Sequence, residues 1–400
     1  MWSLIVVIIT FVLILLVSKK VELGYTLLIG AVLIAVFSGM GWNDFWSSFA
    51  GALINKETGS LLCLLFLILL LSHALKLSGQ LERLVDVSTK LFSDLRLMVF
   101  FMPALIGMLP MPGGAYFSAP MVGQALEKTN FSPEKKAFAN YWFRHIWEYI
   151  LPLYPGIVAV VALTELEFRE VVSANIFLTL SACFGGAFIV FFRSGFKKEK
   201  YRGSFNSFRR FVREISPIGI VLILAIFFKV YIGFALMLGL AVVFLMNRFD
   251  FRSIGTVFKK AFSFRMFMMV MGIVIFKGIL SDCGLVQEIA FFMKECHIGA
   301  LPVIFGISFL SGFVTGITIG FVGISFPIIL AIIEEPNKWN IMFAFACGFA
   351  GVLLSPVHMC LIMTAQYFKA SLGGIYRYIV PAALLIMGVG FAGMWIGGAN

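Results

Sequence analysis

The 400-residue chain is 61 % hydrophobic and 13 % charged, with a formal net charge of +11. A soluble protein of this length has no core large enough for that much apolar surface, whereas runs of about 20 apolar residues are long enough to cross a bilayer as helix. The runs lack the alternation of a barrel strand, so the expected fold class is an all-α polytopic membrane protein.

In chain order, spans are expected at about 3–18, 22–39 and 59–77. The first has no basic start and no small-residue cleavage site, so it reads as a span rather than a signal sequence. An amphipathic arm follows at about 80–95, with Leu81, Leu84, Val85, Leu91, Phe92 and Leu95 on one helical face; such a helix lies along the membrane interface. Residues 97–123 are interrupted by Leu109-Pro110-Met111-Pro112-Gly113-Gly114. A straight helix does not pass two prolines and two glycines, so a re-entrant hairpin is expected. Spans at about 138–163, broken at Leu151-Pro152, and 172–192 complete the half.

The second half repeats this order: spans at about 215–230, 231–246 and 263–280, an arm at 283–296, and a hairpin at 300–333 broken around Gly316 and Gly320. Spans at about 340–366, broken at Ser355-Pro356, and 376–396 follow. Lys20–Gly30 reappears as Lys229–Gly239, and Gly113…Ser118-Ala119-Pro120 as Gly320…Ser325-Phe326-Pro327. About ten transmembrane helices plus two re-entrant hairpins result, in two repeats (1–192 and 215–400) joined by a basic linker, 193–214. Five spans per half is an odd number, so the repeats have inverted topology. Gly/Pro-broken apolar segments at matching places of two halves point to a secondary transporter and its binding site.

Charge supplies an independent test, because cytoplasmic loops collect Lys and Arg. On this map one side takes Lys19, Lys20, Arg83, Lys90, Arg96, Lys128, Lys135, Lys136, the 193–213 run, Arg248, Arg252, Lys259, Lys260, Arg265, Lys369 and Arg377. That side is cytoplasmic, which puts both termini outside. The net charge is thus a topology signal, and nucleic acid is not an expected partner. The six cysteines have no metal spacing and read as small hydrophobes; Cys283 and Cys296 flank the second arm and are a candidate disulfide. No P-loop motif occurs, so an ATP-driven pump is not expected.

Chemistry is expected where the hairpin tips and the broken spans meet. Helix N-termini at the tips present free N–H groups that suit an anion. The candidate substrate-binding residues are Pro112, Gly113, Gly114 and Ala115 at the first tip, and Thr315, Gly316, Thr318 and Gly320 at the second. Pro152, Ser355 and Pro356 are substrate-binding candidates at the other wall, where the breaks free carbonyls and a hydroxyl that can also hold Na⁺ near Gly113, Thr318 and Ser355. Arg144 is a candidate for a substrate carboxylate, His358 for the site, and Glu148 or His145 for a coupling proton. Arg144 and Glu148 stand at i, i+4, so a purely structural ion pair is the competing reading. His73 and Lys76 read as packing or snorkelling groups, and His297 as solvated.

Leu109-Pro110-Met111-Pro112-Gly113-Gly114 and Arg144-His145-Ile146-Trp147-Glu148, with the repeated architecture, resemble an integral-membrane family of the ion transporter superfamily. That group contains gluconate permeases, citrate and dicarboxylate carriers and divalent-anion/sodium symporters. The resemblance implies a homodimer working by an elevator motion, with a scaffold (about 1–95 and 215–296) and a transport part (about 97–192 and 300–396). The sodium symporters carry Ser-Asn-Thr at both tips. This chain has Pro-Met-Pro-Gly-Gly and Gly-Ile-Thr-Ile-Gly, a departure that shifts weight from Na⁺ towards H⁺ coupling. The expected function is secondary active transport of a small organic anion, a carboxylate, with H⁺ or Na⁺ as coupling ion and no other cofactor. The alternatives are a channel, a non-transporting accessory subunit, or an intramembrane enzyme built on His145, Glu148 and His358.

Overall fold

The computed structural model describes residues 2–18, 20–91, 94–108, 114–127, 129–164, 166–192, 205–285, 288, 291, 295–297, 299–333 and 336–397. The regular structure of these residues is helical. The first half contains α1 (Trp2–Val17), α2 (Leu23–Phe37), α3 (Trp42–Ile54), α4 (Lys56–Leu77), α5 (Gln80–Leu91), α6 (Leu95–Gly107), α7 (Ala115–Ala125), α8 (Pro133–Arg144), α9 (Pro155–Thr164) and α10 (Phe168–Phe191). The second contains α11 (Phe205–Ile226), α12 (Ile232–Met246), α13 (Phe251–Ala261), α14 (Phe264–Asp282), α15 (Ala300–Thr315), α16 (Thr318–Ile332), α17 (Lys338–Leu354), α18 (Met359–Phe368) and α19 (Leu372–Gly397).

Five helical stretches are long and apolar enough to cross a membrane: Thr58–Leu77, Phe168–Phe191, Phe264–Asp282, Lys338–Phe368 and Leu372–Gly397. Their outward faces are apolar too. On α10, Phe177, Leu180, Phe184 and Phe188 form an exposed stripe at helical spacing, while Ala174, Leu178, Ala182 and Gly185 are buried. Apolar side chains on the outside of an apolar helix mark a lipid-facing surface. The chain is a multi-pass all-α membrane protein.

One group of helices is built on close crossings. A Cβ on Gly24 of α2 would lie 2.4 Å from the Met268 carbonyl oxygen, and one on Gly272 of α14 would lie 2.4 Å from the Gly24 oxygen. The small residues therefore let two backbones touch, as intramembrane packing requires. α4 packs on α12 and α13, and α5 on α11. The second group surrounds α8 and α17, whose residues 137–144 and 341–353 are wholly buried. The hairpin α6–α7 packs on α8 and α18, and the hairpin α15–α16 on α17 and α9. Each hairpin thus contacts the first part of one broken helix and the second part of the other.

Several expectations need correction. Two helices, α3 and α13, were not anticipated: both are short and amphipathic, and half-turn apolar content hides them in a search for spans. In α3, Trp42, Phe45, Trp46 and Phe49 form one aromatic cluster, of the kind that anchors a helix at the interface. The linker 193–214 is helical from Phe205, where α11 begins; residues 193–204 lie outside the described ones. The buried stripe of α5 is Gln80, Leu84, Val87 and Ser88 rather than the face containing Leu81 and Val85. Gln80 is there because it donates to the Glu214 carbonyl at 2.7 Å and accepts from Asn247 at 2.9 Å. Most of the second arm, Val286, Ile289, Phe292 and Met293 included, is outside the described residues. Cys283 and Cys296 are free thiols, not a disulfide.

Candidate functional site

The break between α8 and α9 begins at His145, six residues before Leu151, and runs through Pro152 to Tyr154. In a continuing helix the Tyr141 carbonyl would accept the His145 N–H. Instead His145 Nδ1 lies 2.6 Å from that oxygen, and the His145 N–H donates to Trp142 at 3.0 Å. The same contact from His73 Nδ1 to the Leu69 carbonyl at 2.8 Å leaves α4 unbroken, so at His145 it accompanies the end of the helix without enforcing it. Pro152 is buried in the turn that follows. The helix ending at Arg144 also removes the premise of the Arg144–Glu148 pair, since i, i+4 neighbours meet only on an unbroken helix.

Glu148 is held elsewhere. Thr318 Oγ1, at the start of α16, donates to Glu148 Oε2 at 2.7 Å, and His145 Nε2 lies 3.8 Å from Oε1. The Thr318 methyl group fits against Gly156 of α9, where a Cβ would approach it to 2.5 Å. The second break supplies His358, whose Nε2 is 3.2 Å from His145 Nε2. Cys360, two residues on, lies within 4.8 Å of both rings. Gly316 takes a left-handed conformation (φ 64°) and turns the second tip against Ser355 and His358; only glycine adopts this without strain. At the first tip, a Cβ on Gly114 would lie 2.4 Å from Arg144 Nη2, so the guanidinium rests on that backbone. Arg144, His145, Glu148 and His358 are 3, 2, 6 and 8 % exposed, so four ionisable groups share one buried centre.

Carbonyls and amides are treated differently around this centre. Tyr154 Oη donates to the Gly107 carbonyl, Tyr141 Oη to Leu353 at 3.0 Å, Asn140 Nδ2 to Ala115 at 3.1 Å and Asn175 Nδ2 to Tyr149 at 2.9 Å. The helix starts at the site have no such partners: Gly114, Ile317 and His358 make no side-chain cap to α7, α16 or α18. Away from it, Ser132, Asp250, Ser263 and Asn337 cap α8, α13, α14 and α17, whereas α2, α3, α12 and α15 start without a side-chain cap. Around the centre, then, four backbone carbonyls have side-chain donors, while three helix starts without side-chain caps converge with a guanidinium. That is a field suited to negative charge.

Of the expected site residues, Gly114, Ala115, Arg144, His145, Glu148, Gly316, Thr318, Ser355 and His358 come together. Thr315 returns its hydroxyl to Ser311 at 2.7 Å, and Gly320 packs against Ile317 and Thr315 within its own tip. Pro356 is exposed beside Val357, and Ser355 Oγ accepts from the Val357 N–H at 3.3 Å. Pro112 and Gly113 lie outside the described residues. Cys360, Tyr141, Tyr154 and Asn140 were not anticipated. The sequence His358-Met359-Cys360 directly after a helix break was the available signal for Cys360.

Two hairpins and two broken helices meeting at a buried polar centre define a polytopic membrane protein with a candidate site at that centre. The chain belongs to the family described as "Protein of unknown function (DUF401)", whose model matches residues 1–396. It is similar in fold to the Alcanivorax borkumensis YdaH transporter, a crystal structure described as having an unusual topology: TM-score 0.59, 12 % sequence identity, with 89 % of this chain and 88 % of that chain covered. No curated protein sequence matches the chain.

Proposed function

We propose that the protein is a secondary active transporter of a small organic anion, a carboxylate, driven by an H⁺ or Na⁺ gradient. The observation that carries the reading is the convergence of uncapped helix starts at Ala115, Thr318 and Met359 on Arg144 and Glu148 in a buried centre. Arg144 and the helix N-termini would bind the carboxylate, with Gly114, Ala115, Gly316 and Thr318 shaping the tips around it. Glu148, with His145, would carry the coupling proton; Ser355, Thr318 and Gly113 would be the donors to Na⁺ if that is the ion.

The two halves support an inverted repeat. Leu23, Trp42, Ala115 and Pro155 start helices whose counterparts start at Ile232, Phe251, Thr318 and Met359. The unanticipated α3 and α13 are such a pair. The fold likeness to a protein described as a transporter supports transport. Membership of the ion transporter superfamily, a dimer, and an elevator motion of 97–192 and 300–396 against the rest belong to this reading. So does a cytoplasmic membrane location with residues 193–214 inside and both termini outside.

A thermal-shift screen of detergent-purified protein against organic and inorganic anions, with and without Na⁺ at two pH values, tests the reading, because a ligand of the native state raises the melting temperature. Uptake into liposomes follows. Binding of a carboxylate with uptake against its gradient supports the proposal. Uptake that never exceeds equilibrium favours a channel, and no carboxylate binding or uptake under any ion gradient overturns it.

A further inference from the structure

One ring nitrogen each of His145 and His358 and the Cys360 Sγ lie within 4.8 Å of one another, and all three residues are buried. We propose that this cluster is a binding site for a divalent transition-metal ion of the zinc class, with a Glu148 carboxylate oxygen as fourth donor. The ring nitrogens are 3.2 Å apart. Two zinc–nitrogen bonds of about 2.0–2.1 Å meeting near the tetrahedral angle place their nitrogens roughly 3.3 Å apart. Glu148 Oε1, 3.8 Å from His145 Nε2, is the neighbouring carboxylate available as a fourth donor.

The tautomer agrees. The Tyr141 carbonyl can only accept, so the proton of neutral His145 sits on Nδ1 and the Nε2 lone pair faces His358. Fixing one ring nitrogen on a backbone carbonyl is how proteins orient a metal-binding imidazole. Without an ion, His358 Nε2–H donates to the His145 Nε2 lone pair across 3.2 Å. With an ion between the rings both Nε2 lone pairs face it, and the proton of His358 sits on Nδ1. Cys360 lies in the first turn of α18, where the helix dipole favours a thiolate. A thiolate and a carboxylate neutralise a divalent ion, leaving Arg144 as net positive charge beside it. Two donors come from the first break and two from the second, so the ion would clasp the two broken helices together.

The inference rests on this geometry and not on the transport reading; with the ion bound, His145 and Glu148 would hold it and not carry the coupling proton. The test uses the full-length, tag-free protein in detergent, stripped by chelator and loaded with Zn²⁺ or Co²⁺. Expected are one Zn²⁺ per chain by elemental analysis and, with Co²⁺, tetrahedral bands with a thiolate charge-transfer absorption. Cys360→Ser should abolish that absorption, and His358→Ala should weaken binding 10-fold or more. Since a buried variant can fail to fold, X-ray absorption of the Zn²⁺-loaded wild type provides the variant-free arm. A sulfur neighbour at about 2.3 Å among nitrogen and oxygen neighbours is required. No tight Zn²⁺, or a shell of nitrogen and oxygen alone, overturns the proposal. An intact carboxylate response in the same preparation would show that only the metal inference had failed.

Discussion

Thr318 makes two contacts that a pair of substitutions separates. Its hydroxyl donates to Glu148, which is 6 % exposed, and its methyl group fits against Gly156. Thr318→Val keeps the methyl and leaves a buried carboxyl oxygen without its donor, a loss of about 1–3 kcal/mol. Thr318→Ser keeps the hydroxyl and removes one half-buried methyl, a loss of about 0.8 kcal/mol or less. Thermal melting of the detergent-solubilised protein should therefore rank wild type above Ser and Ser above Val. The hydrogen bond is also what ties the second hairpin to the first broken helix, so Val should impair anion binding more than Ser. If Ser melts below Val, apolar fit against Gly156 holds the tip, and the assignment of Thr318 to the Glu148 carboxyl is wrong.

Glu148→Gln should leave the fold intact and abolish coupled uptake in proteoliposomes; a variant that accumulates substrate normally removes Glu148 from the coupling role. Gly114→Ala must push the Arg144 guanidinium, whose Nη2 lies 2.4 Å from the new Cβ, and should weaken carboxylate binding at least 10-fold in a thermal-shift titration. Gly272→Ala puts a Cβ 2.4 Å from the Gly24 carbonyl oxygen, an overpacking cost of about 1–3 kcal/mol, seen as a lower melting temperature. Gly306→Ala is the opposite case: nothing lies within 4 Å of its Cβ position in α15. It should raise stability by up to about 1 kcal/mol, the helix-propensity gain.

The interruptions most legible in the sequence were those written in glycine and proline. Gly316 and the Ser355-Pro356 pair stand where the second hairpin and the second broken helix turn. The first break includes the Leu151-Pro152-Leu153-Tyr154 stretch written in the sequence, but it starts earlier, at His145. A histidine captures the Tyr141 carbonyl, and Gly107 of α6 packs on the Arg144 carbonyl from outside. Neither event has a local composition signature. Cys360 was read as a small hydrophobe because it sits in an apolar run; only the three-dimensional meeting of α8 and α18 sets it beside two imidazoles.

An interrupted helix in lipid exposes backbone groups that cost several kcal/mol each if unsatisfied. Two tips and two breaks at one buried centre multiply that cost, so their placement needs a reason beyond packing. The protein meets the acceptor half of the cost with dedicated donors, from Tyr141, Tyr154, Asn140 and Asn175. It leaves the donor half, at Ala115, Thr318 and Met359, without side-chain caps. Other helices of the chain, α2, α3, α12 and α15, also start without a side-chain cap, so the missing caps alone do not mark the centre. What sets it apart is that three such starts converge beside a buried arginine, the feature on which the proposed anion site rests. Among the described residues, Glu148 is the carboxylate at this centre, and its Oε2 accepts from the tip hydroxyl of Thr318. On the proposed reading, an anion at the uncapped amides would compete with that bond, and its release would be the step through which binding is felt at Glu148.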